Sequence, residues 1–212
     1  RGVDTEYFNQ PLDVGIRDNI LKTHQIDTAK KIILFPARIT SWKGQLEFID
    51  VIKKIDTQNI FVLFAGDTKN ESYTKLVRDK IKQNNLDGVC KILGSINQDE
   101  MRSLYEVADL SVSFPLRAEG FGRTVSESLY SKTPVLAFDY GGVKNQLANL
   151  SDMFKVKPQD FQLLPAKIEK LLSLSEVEKK EALEGVQSVI ESNFSKINMV
   201  NQYLKLYESF ES

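Results

Sequence analysis

Short apolar runs alternate with amphipathic stretches through the first 157 residues of the chain. The runs are Ile32–Pro36, Ile60–Ala65, Val89–Leu93, Leu110–Phe114, Pro134–Phe138 and a weaker Met153–Val156. They are rich in Val, Ile, Leu and Phe and show little polar alternation, as expected of parallel strands covered on both faces. Between them the pattern predicts helices over Gly44–Ile55, Tyr73–Asn84, Gln98–Ala108, Gly122–Ser131 and Val143–Asn149. In the third, Met101, Leu104, Tyr105 and Ala108 recur at helical spacing and form one apolar stripe. Beyond residue 157 the pattern turns helical over Phe161–Leu172, Ser175–Ser192 and Ser195–Phe210, with Ser175 and Glu178 spaced as a capping box. Residues 1–30 read as a lead-in segment with a short helix near Val14–Thr23.

Repeated strand–helix units joined by right-handed crossovers predict an α/β fold. The expected form is a Rossmann-like, doubly wound parallel sheet of about six strands with helices on both faces and a helical C-terminal tail. If the strands follow the common order 3-2-1-4-5-6, the switch point lies between the first and fourth, and ligands bind at their carboxyl ends. The loops after those two strands are then where chemistry is expected.

The loop after the first strand, Pro36-Ala-Arg-Ile-Thr-Ser-Trp-Lys-Gly44, offers the guanidinium of Arg38, the ammonium of Lys43 and a helix start at Gly44. Together they suit a phosphate or diphosphate; as residues alone they equally suit ordinary solvated surface charges. The loop after the fourth strand runs into Phe114-Pro-Leu-Arg-Ala-Glu-Gly-Phe-Gly-Arg-Thr-Val-Ser-Glu127. Gly120 and Gly122 let the backbone approach a ligand, and the helix that follows aims its positive end the same way. Glu119 and Glu127, eight positions apart, suit the hydroxyls of a sugar or ribose, or are a loop charge and an exposed helix residue. Gly66 and Gly94, after the second and third strands, let a flat base lie on backbone or simply make turns. Trp42 either shields a ligand or packs on the sheet.

Net charge is −1, so no global field draws the chain to nucleic acid. No apolar run approaches the roughly 18 residues of a membrane span. One cysteine, Cys90, excludes an internal disulfide framework and suits a reducing cytosol. One histidine, His24, and no acidic cluster near the loops argue against a protein-built metal site. The opening Arg1-Gly-Val-Asp reads as a chain caught mid-course, so a fragment cut at a linker is expected.

Taken in order, these pieces resemble the C-terminal nucleotide-sugar domain of GT-B glycosyltransferases, specifically the large retaining family four. Gly2-Val-Asp-Thr-Glu-Tyr-Phe8 is similar to the family's interdomain motif, and Arg38-Ile-Thr-Ser-Trp-Lys43-Gly44 to its R-x(4)-K-G element. Val107-Ala-Asp109, then Glu119-Gly-Phe-Gly122 and Glu127, resemble its E-x(7)-E block, with Pro134-Val and Gly141-Gly142 following. The resemblance implies that Arg38 and Lys43 neutralise the donor diphosphate and that Glu119 holds the transferred sugar, aided by backbone N–H of Phe121 and Gly122. It implies that Glu127 holds the ribose, and that Gly120, Arg123, Thr124, Gly66 and Gly94 complete the nucleotide site. The donor would be UDP- or GDP-linked, and a glycan or lipid-linked acceptor would sit on an absent N-terminal domain. The domains implied are the lead-in 1–30, a nucleotide-sugar domain 31–192 and a crossover helix 193–212, acting in the cytoplasm or at its membrane face.

The chain departs from the family pattern at Arg123, Ser128, Tyr130, Lys132 and Asn145. Other readings remain at this point. A nucleotide-sugar epimerase would need acid–base groups in the cleft, and the sole histidine lies far from these loops. A NAD enzyme would want G-x-G-x-x-G after the first strand, which Pro36-Ala-Arg-Ile lacks. A non-catalytic module that binds nucleotide sugar is the remaining alternative.

Overall fold

The structure, a computed structural model, describes residues 2–211. Six parallel strands are β1 (Lys31–Pro36), β2 (Ile60–Ala65), β3 (Cys90–Gly94), β4 (Leu110–Ser113), β5 (Val135–Phe138) and β6 (Lys155–Val156), in the order β3-β2-β1-β4-β5-β6. The reversal of direction therefore falls between β1 and β4, as the expected order required.

The helices that matter to the site are α3 (Gln45–Ile52), α4 (Glu71–Gln83), α5 (Gln98–Val107), α6 (Arg123–Tyr130) and the short α7 (Gly142–Gln146). Ahead of the sheet come α1 (Thr5–Phe8) and α2 (Val14–Thr23), and after it α8 (Leu164–Leu172), α9 (Glu176–Ala182), α10 (Val186–Phe194) and α11 (Lys196–Glu211). The capping box at Ser175 is formed, and a second caps α5 through Asn97 and Glu100.

Alternate residues of β1 feed two cores, as a strand's pleat dictates. Ile33 and Phe35 join the face covered by α3 and α4, while Ile32 and Leu34 join the face covered by α2 and α5. Leu104, Tyr105 and Ala108 of the predicted stripe are buried there, with Met101 partly so. On the first face a row of rings crosses the sheet near its carboxyl edge. Phe35–Phe48 stand 5.4 Å apart, Phe48–Phe114 5.4 Å, Phe114–Phe138 5.2 Å and Phe138–Phe161 5.2 Å between centroids. Rigid, mutually tilted rings make a floor that holds the loops above β1 and β4 at fixed height.

Three expectations need correction. The predicted helix Ser175–Ser192 is two, because Gly185 sits at φ +73° in the left-handed region and ends the first turn path. Met153–Val156 is mostly a 3-10 turn over Asp152–Phe154, leaving a two-residue strand. Leu164 rather than Phe161 opens α8, Phe161 being drawn instead onto Phe138. The lead-in segment packs on the body: Phe8 lies against Tyr105 and Tyr130, and Val3 pairs with Ser195 at the start of the tail.

Candidate functional site

A cleft of about 990 Å³ opens at the carboxyl edge of the sheet, bounded by the loops after β1, β2, β3 and β4. The loop after β1 is positioned from both ends. Gly44 caps α3 at φ +85°, and any Cβ there would fall on the carbonyl oxygen of Phe114, so glycine permits both the turn and the close approach of the two loops. Leu116 N–H donates to the Trp42 carbonyl at 2.7 Å, which joins the loops again. Fully buried Gln45 donates from Nε2 to the Arg38 carbonyl at 2.8 Å. The Arg38 side chain is left exposed in the cleft, without a carboxylate partner among the described residues.

Lys43 is gripped on two sides. Its Nζ lies 4.3 Å from the centroid of the Trp42 ring and forms an ion pair with the Glu119 carboxylate. Both side chains are nearly enclosed, 16% and 12% exposed. Burial, and then the neighbouring Arg38 guanidinium, push the Lys43 ammonium down to about 8. The Glu119 carboxylate beside it acts in the opposite sense and favours the charged form.

The loop after β4 is clamped from below by the segment after β5. Gly142 N–H donates to the Glu119 carbonyl at 2.8 Å, the Gln146 amide donates to the Phe121 carbonyl and the Tyr140 hydroxyl to that of Pro115. Gly122 caps α6 at φ +77°, where a Cβ would collide with a methyl of Val143. The first N–H groups of α6, which have no intrahelical acceptor, therefore sit beside the cleft. Arg38, Lys43, Gly66, Glu119, Gly120, Phe121, Gly122, Arg123 and Thr124 all line it.

Two of the candidate residues do not. Gly94 stands one position before the lining residues Ser95 and Ile96, its carbonyl accepting from Gly66 N–H at 2.9 Å. Glu127 is buried on the inner side of α6. One carboxylate oxygen accepts from the Tyr105 hydroxyl at 3.0 Å, and the other faces Arg123 Nε at 3.3 Å. Burial pushes its carboxyl up, against the opposing pull of Arg123 and Tyr105. Arg123, 70% exposed, reaches from the cleft wall over it.

The cleft also has walls that spacing did not suggest. Gly2, Lys196 and Met199 line it, because Val3 N–H donates to Phe194 C=O at 2.9 Å and Lys196 N–H to Val3 C=O at 2.7 Å. Those bonds join segments at opposite ends of the sequence, which no local pattern records. Gln45 and Gln146 are equally invisible to spacing: each is a polar residue at the end of a helix, and only the loop carbonyl it bonds reveals its purpose. His24 caps the end of α2 and does not line the cleft. Among the described residues no three His, Cys, Asp or Glu side chains gather as a metal site. No helix among them is long and apolar enough to cross a membrane.

Among the described residues four cations, Arg38, Lys43, Arg123 and Lys196, line the cleft against two carboxylates, Asp67 and Glu119; Arg123 also meets Glu127 and Lys196 meets Asp4 at 3.1 Å, so that Arg38 is the lining cation without a carboxylate partner. Such a surface favours an anion, and its carboxylates and backbone amides suit a hydroxyl-rich neighbour to that anion.

Comparison with known proteins points the same way. The chain is 29% identical over 203 residues to the trehalose synthase of Thermococcus litoralis, a match covering 90% of this chain and 48% of that protein. It is 23% identical to the putative glycosyltransferase EpsD of Bacillus subtilis, covering 99% of this chain and 53% of EpsD. The chain thus spans about half the length of the curated relatives it matches. A glycosyltransferase structure from Rickettsia africae superposes with a TM-score of 0.90 at 28% identity, over 99% of this chain and 55% of that one. The fold is also that of HepE from Anabaena, solved with UDP-glucose, at a TM-score of 0.83 and 21% identity, over 98% of this chain and 56% of that one. The family model described as Glycosyl transferases group 1 matches residues 16–184, and the chain, with its doubly wound sheet and GT-B neighbours, belongs to that glycosyltransferase family.

Proposed function

We propose that this chain is the donor-binding part of a retaining glycosyltransferase that takes a UDP- or GDP-linked sugar and passes it to a glycan or lipid-linked acceptor. The observation that carries this reading is the convergence of Arg38, Lys43 and Glu119 on one cleft at the switch point between β1 and β4. The complex of HepE with UDP-glucose supports the choice of ligand class.

In this reading the diphosphate lies against Arg38, Lys43 and the opening N–H groups of α6. As the bond from the sugar to the leaving phosphate breaks, negative charge grows on that phosphate. Cations already in place act where the charge appears, without reorganising at that moment. Glu119 accepts from sugar hydroxyls, and the backbone at Phe121 and Gly122 completes that grip. Glu127 reaches the ribose only if Arg123 moves aside, so in the present arrangement it serves first to hold α6 against Tyr105. Among the described residues the carboxylates lining the cleft are Glu119, paired with Lys43, and Asp67; in this reading neither takes the acceptor's proton, which goes to the leaving phosphate. The acceptor would occupy a part of the protein beyond this chain. The single cysteine, Cys90, is buried as a free thiol, and the reaction is taken to run in the cytoplasm.

Calorimetry with UDP and GDP at millimolar concentration tests the reading. Weak binding that Arg38→Ala abolishes supports it; no binding of either nucleotide sinks the assignment of this cleft. Sugar release by the full-length protein separates an active transferase from a module that only binds.

A further inference from the structure

The two groups that the donor-site reading assigns to different parts of the ligand are, in this structure, engaged with each other. Lys43 belongs to the diphosphate in that reading, and Glu119 to the sugar hydroxyls. Yet the Lys43 ammonium and the Glu119 carboxylate form an ion pair across the junction of the two loops, with side chains only 16% and 12% exposed. The arrangement is braced from outside: Trp42 covers one side of the ammonium at 4.3 Å, and Gly142 N–H holds the Glu119 carbonyl at 2.8 Å.

We infer that the Lys43–Glu119 pair is a discriminating lock, which opens at low cost only for a ligand that offers both an anion and adjoining hydroxyl groups. The inference rests on the donor-site reading and deepens it. A nearly enclosed ion pair loses much when one partner is taken away, because the charge left behind has neither its partner nor full hydration. A nucleoside diphosphate alone draws Lys43 onto phosphate and strands the carboxylate of Glu119. A complete nucleotide sugar draws Lys43 in the same way, but its hydroxyls hydrogen-bond Glu119 and repair the loss. The cleft therefore favours the loaded donor over the spent nucleotide that remains after transfer, and product leaves more easily. Arg38, which has no carboxylate partner among the described residues, supplies attraction for both ligands alike and does not discriminate.

The lock makes a prediction whose sign differs from that of a plain contact residue. Glu119→Gln removes the partner that competes for Lys43, so a bare nucleotide should bind more tightly, not less. The experiment is calorimetric titration of the chain with UDP and with GDP, wild type against E119Q, with the fluorescence of the chain's one tryptophan, Trp42, as a second readout. Expected is a gain of roughly tenfold in affinity for whichever nucleotide the wild type binds, between the effect of an exposed pair and that of a fully buried one. Glu119→Asp, whose shorter side chain draws the carboxylate back from Lys43, should shift affinity the same way by less, and it serves if E119Q folds poorly. Unchanged or weaker nucleotide binding by folded E119Q and E119D overturns the lock while leaving the donor site standing. Failure of wild type and variants alike to bind either nucleotide overturns the donor-site reading, and the lock falls with it.

Discussion

The sheet carries a partly enclosed charge cluster at each edge, and the two are built on opposite terms. At the amino edge Asp109, just before β4, accepts from Lys31 Nζ at 2.8 Å, Lys179 Nζ at 3.2 Å and Ile32 N–H at 2.9 Å. Burial works against its charged form, but those three donors outweigh burial and hold its carboxyl below the usual range, while Lys179 is held above its own. Every partner there stabilises the charge it meets, and the cluster ties β1, β4 and α9 together. At the carboxyl edge Lys43 is pushed down to about 8 by burial and by a second cation, and Arg38 has no carboxylate partner among the described residues. A cluster satisfied from within serves the fold. One left with an excess of cations favours an anion from outside.

The sharpest way to break this contrast is to remove a cation from the carboxyl edge. Arg38→Ala or Lys43→Ala should raise the barrier to sugar transfer in the full-length enzyme by roughly 2–4 kcal/mol, as lost preorganised donors do. Thermal stability should barely change for Arg38→Ala, whereas Lys43→Ala strands the nearly enclosed Glu119 carboxylate and should lower it. A large drop in melting temperature of Arg38→Ala with modest loss of rate would show that the carboxyl cluster is structural after all.

The converse experiment is Asp109→Asn, which should destabilise the fold by about 3 kcal/mol near neutral pH, read as a shift of the urea midpoint. Nucleotide affinity of the folded fraction should stay as it was. Since Asp109's carboxyl is lowered by folding, its contribution is full above the unfolded value of about 3.9 and is lost as pH falls through the folded one. The penalty of D109N should therefore shrink in acid.

A smaller effect separates the edges by pH. Lys43 loses its proton as pH rises through about 8, so nucleotide affinity should decline above that point, by at most about tenfold per pH unit. Lys43→Arg, charged throughout, should flatten the decline. Fold stability should move the other way, rising modestly from pH 8 toward the ordinary lysine value of about 10.4, because the unfolded chain holds that proton more tightly.

The smallest predicted effect lies away from both clusters. Lys132, two residues past the end of α6, sits at φ +62°, where Lys132 N–H donates to Leu129 C=O at 3.1 Å and Thr133 N–H to Ser128 C=O at 2.9 Å. That helix ending favours glycine. Lys132→Gly should stabilise by about 1 kcal/mol, or roughly 2–4 °C in Tm, with nucleotide binding untouched.

The residues differ in how far their roles could be read without coordinates. Arg38 and Lys43 stand out because a cationic loop between an apolar run and a glycine is a local pattern. The surroundings of Glu127 are beyond the same kind of reasoning: helical spacing puts it on α6 but does not say that Tyr105 and Arg123 meet its carboxylate. Gly185 is hidden from the pattern because apolar periodicity runs through it unchanged, while its backbone turns left-handed.

What the sequence determined by itself is the succession of strands and helices, the burial of the sheet on both faces, and the loops that carry charge. Those follow from the spacing of apolar residues and from the conformations glycine permits, both local properties. Only the tertiary structure decided that Lys43 meets Glu119, that Glu127 turns inward, and that Lys196 from the C-terminal helix closes the cleft beside Gly2. Each of those contacts joins segments distant along the chain, and its energy depends on burial and partner charge, which exist only once the sheet has brought the segments together.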